Sequence, residues 1–157
     1  MPRAPGDRSA FLQDVTYADG SPVEAGSRLE KIWAIQNTGD VTWEDRWLTC
    51  QDEDLEIRSG DGTPLTVGQN LVPENRSVPL PRTLPGESAE ISVVFTAPTT
   101  PCTVISYWKM TYADGRLCFP EGHGLWAKVR VVAATMEAES RLDDETPPTA
   151  PRRRAGR

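Results

Sequence analysis

The run "ESAEISVVFTAP", Glu87 to Pro98, limits the fold of this chain more than any other stretch. Ala89, Ile91, Val93 and Phe95 fall on one side of an extended backbone, and Glu90, Ser92 and Thr96 on the other. That period of two is what a half-buried strand requires and a helix cannot satisfy. Pro85-Gly86 opens the run and Pro98 closes it. Comparable segments follow one another along the chain: "FLQDVTY" before Asp19-Gly20, "RLEKIWAIQN" before an Asn-Thr-Gly-Asp turn, "TWEDRWLTC", and "DLEIRS" before Asp61-Gly62. The last two, "TVISYWKMTY" and "GLWAKVRVV", are joined through Asp114-Gly115 and the loop "PEGHG". In "RLEKIWAIQN", Leu29, Trp33 and Ile35 oppose Arg28, Glu30 and Gln36, while Ile32 and Ala34 make the second side partly apolar, which predicts a central strand. The letters "TYADG" occur at Thr16 to Gly20 and again at Thr111 to Gly115, and in both the glycine supplies the positive φ of a hairpin turn. Seven or eight short antiparallel strands with a turn signal at about every tenth residue predict an all-β chain built as a sandwich.

The 157 residues suit one domain, predicted over 11–132. Residues 1–10 read as a flexible N-terminal arm. Over 133–157, "AATMEAESRLDDE" can form a short helix, and "TPPTAPRRRAGR" has neither apolar residues to bury nor a periodic pattern, the composition of a disordered tail. Cys50, Cys102 and Cys118 make no paired framework and no C-x-x-C spacing, so a reducing compartment is the simpler reading. With no signal-like apolar run in "MPRAPGDRSA" and no long apolar stretch, the expectation is a soluble cytoplasmic protein without membrane contact. Residues 11–132 hold 10 Lys and Arg against 17 Asp and Glu, which argues against nucleic-acid binding, since phosphate contacts need a basic face. Arginine outnumbers lysine fourteen to three, the mark of GC-rich coding and an argument for a bacterial source.

A sandwich of this type suggests an immunoglobulin fold, yet the Cys…Trp…Cys signature of antibody domains is missing. In its place, "KIWAIQNTGDVTW", the "LPGE" that opens a strand ending "TAP", "SYWKM" and "GLW" together resemble the FW, or four-tryptophan, domain. This is the immunoglobulin-like central domain of the next-to-BRCA family of selective-autophagy receptors. The resemblance covers about residues 11–132. It implies that the four named tryptophans are Trp33, Trp43, Trp108 and Trp126, with Asn37 and Gly39 as the turn pair and Trp47 outside the set. Where relatives often carry a glycine before the Trp108 strand, this chain has "TPCTVISYW". Trp33 and Trp108 lie within alternating strands and are predicted core. Trp43, Trp47 and Trp126 lie near turns, where a ring can either pack the end of a sandwich or stay partly wet.

Other chemistry is weakly supported. A run such as Asp52, Glu53, Asp54 is a solvated face, because glycosidase catalysis needs two carboxylates at a set separation in different environments. His123, the one histidine, sits among glycines without a nucleophile that sequence can place beside it, and no metal or phosphate-binding pattern is present. No enzyme activity and no cofactor are expected. Pro148 and Pro151 followed by Arg153 have polyproline-ligand spacing in a short motif. The resemblance implies a protein-interaction module, an adaptor or cargo-recognition domain. The rival is a carbohydrate- or cell-wall-binding sandwich. The predicted site is Trp43, Glu44, Asp45, Trp47 and Trp126, where rings beside carboxylates would take a protein or peptide with a basic or N-terminal segment.

Overall fold

Alternation of apolar and polar side chains carries directly into two facing sheets. The computed structural model describes residues 5–52, 56–58, 64–66 and 70–133, and among them there is no helix. In chain order the strands are β1 (Ser9–Asp14), β2 (Ser21–Glu24), β3 (Arg28–Asn37), β4 (Arg46–Cys50), β5 (Glu56–Arg58), β6 (Pro64–Thr66), β7 (Val72–Pro73), β8 (Ser77–Pro79), β9 (Ser88–Thr96), β10 (Cys102–Tyr112) and β11 (Leu125–Val132). One sheet has the order β1-β3-β9-β7, the other β2-β11-β10-β4-β8, and β5 pairs with β6 separately. The result is the expected immunoglobulin-like sandwich. It has more strands than predicted because β2, β6, β7 and β8, at four residues or fewer, are too short to show a period.

The alternations resolve as read. Along β9, Ala89, Ile91, Val93 and Phe95 are buried while Glu90, Ser92 and Thr96 are exposed. β3 is central, flanked by β1 and β9. Trp33 and Trp108 are fully buried with ring centroids 6.4 Å apart, and Phe95 meets Trp108 edge-on at 5.8 Å. Such tilted and edge contacts suit the ring quadrupoles. Each buried indole N–H is satisfied: Trp33 donates to the Trp126 carbonyl across the gap between the sheets at 2.8 Å, and Trp108 to Ser106 Oγ. No disulfide is needed to join the sheets, and all three cysteines are free.

Lys31 breaks the pattern from inside. It faces the core side of β3 between Leu29 and Trp33 and is fully buried, yet its Nζ donates to Asp14 Oδ1 at 2.7 Å and to the Thr16 and Tyr17 carbonyls at 3.0 and 2.8 Å. A buried ammonium with three donors is tolerable only when all three are accepted.

One turn and one end differ from expectation, and a second turn acquires a defined place. The Asp19-Gly20 turn makes no hairpin: β1 and β2 belong to different sheets, and Gly20, at φ +85°, carries the chain across to lie parallel to β11. Its second copy does close on itself, with the Tyr112 N–H donating to Arg116 O and Gly115 at φ +92°. The Asn-Thr-Gly-Asp turn is likewise a corner between sheets. There Asn37 is fully buried, its Nδ2 donating to Val41 O and Thr83 O and its Oδ1 accepting the Gly39 N–H. Finally, residues 5–10 are no loose arm. Gly6 and Arg8 lie against the corner, accepting from Asp40 N and Thr38 N, and Asp7 is fully buried. A Cβ on Gly39 would stand 2.1 Å from Gly6 O, so only glycine admits this close approach. The helix and tail expected over 133–157, and Asp61-Gly62, lie outside the described residues except for Ala133.

Candidate functional site

The five residues expected to form one site do not come together. Trp43 is fully buried and is a core ring, which corrects its assignment to the surface. Its backbone exchanges two hydrogen bonds with Thr83, at 2.9 and 3.0 Å, and its Nε1 donates to Asp7 Oδ1 at 3.2 Å. Asp7 closes over that end of the sandwich, so a position near a turn is not a position near water. Arg46 joins the same cluster. Its Nη1 lies 2.9 Å from Asp7 Oδ2 and 3.1 Å from Oδ1, and the N–H is aligned on Oδ1, leaving Oδ2 with the charge contact but no aligned hydrogen bond. Arg46 therefore answers Asp7 and not its sequence neighbours Glu44 and Asp45. Those two are exposed; Glu44 pairs with Arg82 at 3.0 Å, and Asp45 holds a left-handed φ of +53°.

Trp47 and Trp126 are both half-buried on the outer face of the second sheet, since each alternates with buried neighbours on β4 and β11. Trp47 pairs with Thr111 and Trp126 with Tyr107. Four residues along β10 and two strand spacings separate them, about 13 Å by about 10 Å. Asp52, at the acidic edge, is tied to β10, accepting from Ser106 Oγ and from the Tyr107 N–H.

Trp126 belongs instead to a groove that the strand pattern did not reveal. Phe11 pairs with Ile35, and cross-strand partners share a face, so its ring points to the inter-sheet side of β1. Yet Phe11 is 53% exposed. β1 is the outer strand of its sheet, and the space its inner side faces opens as two adjoining pockets of about 220 and 320 Å³. Both are lined by Phe11, His123, Gly124 and Leu125; Phe119 and Met110 floor the smaller, and Asp14, Asp19 and Trp126 line the larger. The pairing of β1 with β3 slips between Phe11 and Gln13, a bulge that lets Phe11 and Asp14 both face inward although they are an odd three positions apart. Opposite, Gly124 at φ +76° lies so close to β10 that a Cβ would be 2.3 Å from Trp108 O. Gly124 thus lets this loop press against the strand. Trp126 Nε1 donates to Asp19 Oδ2 at 3.2 Å, fixing that ring at the rim.

The groove combines apolar walls with two carboxylates, each holding a single hydrogen bond from a neighbouring side chain among the described residues. Ser9 and His123 both line the smaller pocket without a hydrogen bond between them, and among the described residues no three His, Cys, Asp or Glu side chains gather as a metal site would need. Burial pushes the Cys118 thiol up to about 11 and raises Cys50 as well, leaving both protonated and poor nucleophiles. Phe11 was visible in sequence only as one apolar residue of a strand; the open space beside it depends on which strands the two sheets contain.

Comparison with known proteins bears on this geometry. The family model of the Ig-like domain from next to BRCA1 gene matches residues 16–131. Protein JOKA2 of Solanum tuberosum is 30% identical over 130 residues, covering 80% of this chain and 13% of that protein. The NBR1 homolog of Arabidopsis thaliana is 29% identical over 126 residues, 80% of this chain and 16% of that protein, and the next to BRCA1 gene 1 protein of Homo sapiens is 29% identical over 123 residues, 78% and 11%. The chain thus spans under a fifth of the length of these curated relatives. They are plant and mammalian proteins and give no support to the bacterial source expected from the arginine bias.

Proposed function

The chain belongs to the family of the Ig-like domain from next to BRCA1 gene, and from that premise we propose that it is a non-enzymatic protein-interaction module which takes a partner's segment into the groove between β1 and the loop that joins β10 to β11. The observation that carries this reading is Phe11, a ring directed at the inter-sheet space and left half open to water. An apolar side chain entering there would complete the sandwich edge, and aromatic anchors in such pockets carry most of the energy of an interface. Asp14 and Asp19 suit a basic side chain or an N-terminal ammonium of the partner. The work is that of an adaptor or cargo-recognition domain in the cytoplasm. Of the residues singled out in sequence, Trp126 belongs to this groove, while Glu44, Asp45 and Trp47 lie outside it.

The test is capture on the immobilised protein. Phe11→Ala, at an exposed ring, should leave the fold intact and weaken a captured partner by tenfold or more, about 1.4 kcal/mol. Trp47→Ala should leave it unchanged. The reverse ranking would move the site to the outer face of β4. One feature favours a second reading: Tyr107, 46% exposed, stands beside Trp126 on the outside of the second sheet, a pair of rings of the type that sugars stack upon. Binding on a glycan array that is lost in Tyr107→Ala and kept in Phe11→Ala would establish that alternative.

A further inference from the structure

Resting on the groove reading above, we infer that the groove is held in the free protein by the chain's own segment Pro147 to Arg154, docked intramolecularly with its prolines on the aromatic wall and its arginines on Asp14 and Asp19. Polyproline segments dock on aromatic-lined grooves at little entropic cost, because their conformation exists before binding. Phe11, Phe119 and Trp126 provide such rings, and Leu125 lies between them. The sequence "PPTAPRRR" supplies Pro147, Pro148 and Pro151 followed by Arg152, Arg153 and Arg154.

Charge selects the orientation. Asp14 spends one oxygen on Lys31, and Asp19 one on Trp126 Nε1, so each keeps a second oxygen for an incoming guanidinium. The other ionisable side chains at the groove are His123 and Lys109, and Lys109 is turned toward Pro120 O at 3.4 Å. The arginines are therefore placed at the Asp14 and Asp19 end and the prolines along Phe11.

Geometry permits the return. The chain leaves the sandwich after Val132, at the far end of β11 from Leu125, so the segment must come back along one strand length, about 23 Å for eight residues. The fourteen residues 133–146 could reach at most about 46 Å, twice the span. A tether of that size holds the segment at roughly millimolar effective concentration, enough for a weak contact to be populated.

The experiment compares backbone amide NMR spectra of the full chain and of the full chain carrying Arg152→Glu, Arg153→Glu and Arg154→Glu. Shifts at Phe11, Asp14, Asp19 and His123 to Trp126, independent of protein concentration and mimicked in the parent by high salt, are expected. Changes confined to the amides of the substituted segment would overturn the inference, and shifts that grow with concentration would reassign the occupant to a second copy. Capture keeps the two readings apart. A segment that fills the groove nine-tenths of the time weakens partner binding about tenfold, so the triple variant should bind that much tighter. If the groove amides do not move while Phe11→Ala still abolishes capture, the docked segment falls and the interaction groove stands. If Phe11→Ala is also silent, both fall.

Discussion

Lys31 shows how much of this molecule depends on a single side chain meeting its partners. Its ammonium is enclosed by Asp14 and two carbonyls, with Nζ 5.7 Å from the Trp33 ring centroid. Lys31→Ala would leave those acceptors buried or half-buried without a donor, and the expected cost is about 3–5 kcal/mol, the range for breaking a buried pair from one side. Urea melts check it, and Lys31→Met should recover part of the loss by refilling the space. In sequence Lys31 is a charge in the middle of an apolar face, a conflict that a pattern cannot resolve because the acceptors lie some fifteen residues away, at the end of β1 and in the connection that follows it. The cysteines make a second case. Folded, the Cys118 thiol keeps its proton to about pH 11, against an ordinary value of 9.0. The unfolded chain ionises first, so this contribution is complete below pH 9 and is lost as pH climbs to 11, by up to about 2 kcal/mol. The drop in urea midpoint between pH 8 and pH 10.5 should be smaller in Cys118→Ala than in the parent.

At the level of the element, the strands with long alternations were legible and the connections were not. β9 and β3 announce themselves because one face is core from end to end. The corner after Asn37 hides its role, since a Gly-Asp turn looks the same whether it closes a hairpin or moves the chain between sheets. What fixes it is the N-terminal segment lying on Gly39, and no local pattern in "APGDRS" records that Asp7 will be buried against Trp43 and Arg46. Two changes test this element. Gly39→Ala drives a Cβ into Gly6 O and should cost about 1–3 kcal/mol, as overpacking does. Deleting residues 1–8 removes Asp7 from Arg46 and should cost at least as much, about 3 kcal/mol or more. Thermal melts showing both variants equal to the parent would mean that the N-terminal segment is only laid on the surface.

Across the whole molecule, the tryptophans divide by depth and not by neighbourhood. Trp33, Trp43 and Trp108 fill the interior, and Trp47 and Trp126 remain half-buried outside. Sequence placed the first and third of these correctly from strand periodicity. It misplaced Trp43, whose burial is decided by a distant aspartate. The groove itself was out of reach for a different reason: it is a property of where one sheet ends relative to the other, and Phe11 becomes an exposed inward-facing ring only because β1 is an outermost strand.

The parallel pairing of β2 with β11 also decides how the domain answers to load. The pair is bracketed by Gly20 N–H to Lys128 O at 2.9 Å and Ala25 N–H to Val132 O at 2.8 Å, with the register from Ser21–Val129 to Glu24–Val132 between. Tension drawn through Ser21 and Val132 in opposite directions slides these strands lengthwise past each other, so the bonds across them are strained together and none opens ahead of the rest. A hairpin pulled from its open end would unzip one bond at a time at much lower force. In a longer polypeptide under traction, this clasp would act as the mechanical fuse of the domain. Single-molecule stretching should show one high rupture peak that Val23→Pro, which clips a bond from the clasp, lowers by more than it lowers the urea midpoint; equal proportional losses would place the mechanical barrier elsewhere in the sandwich.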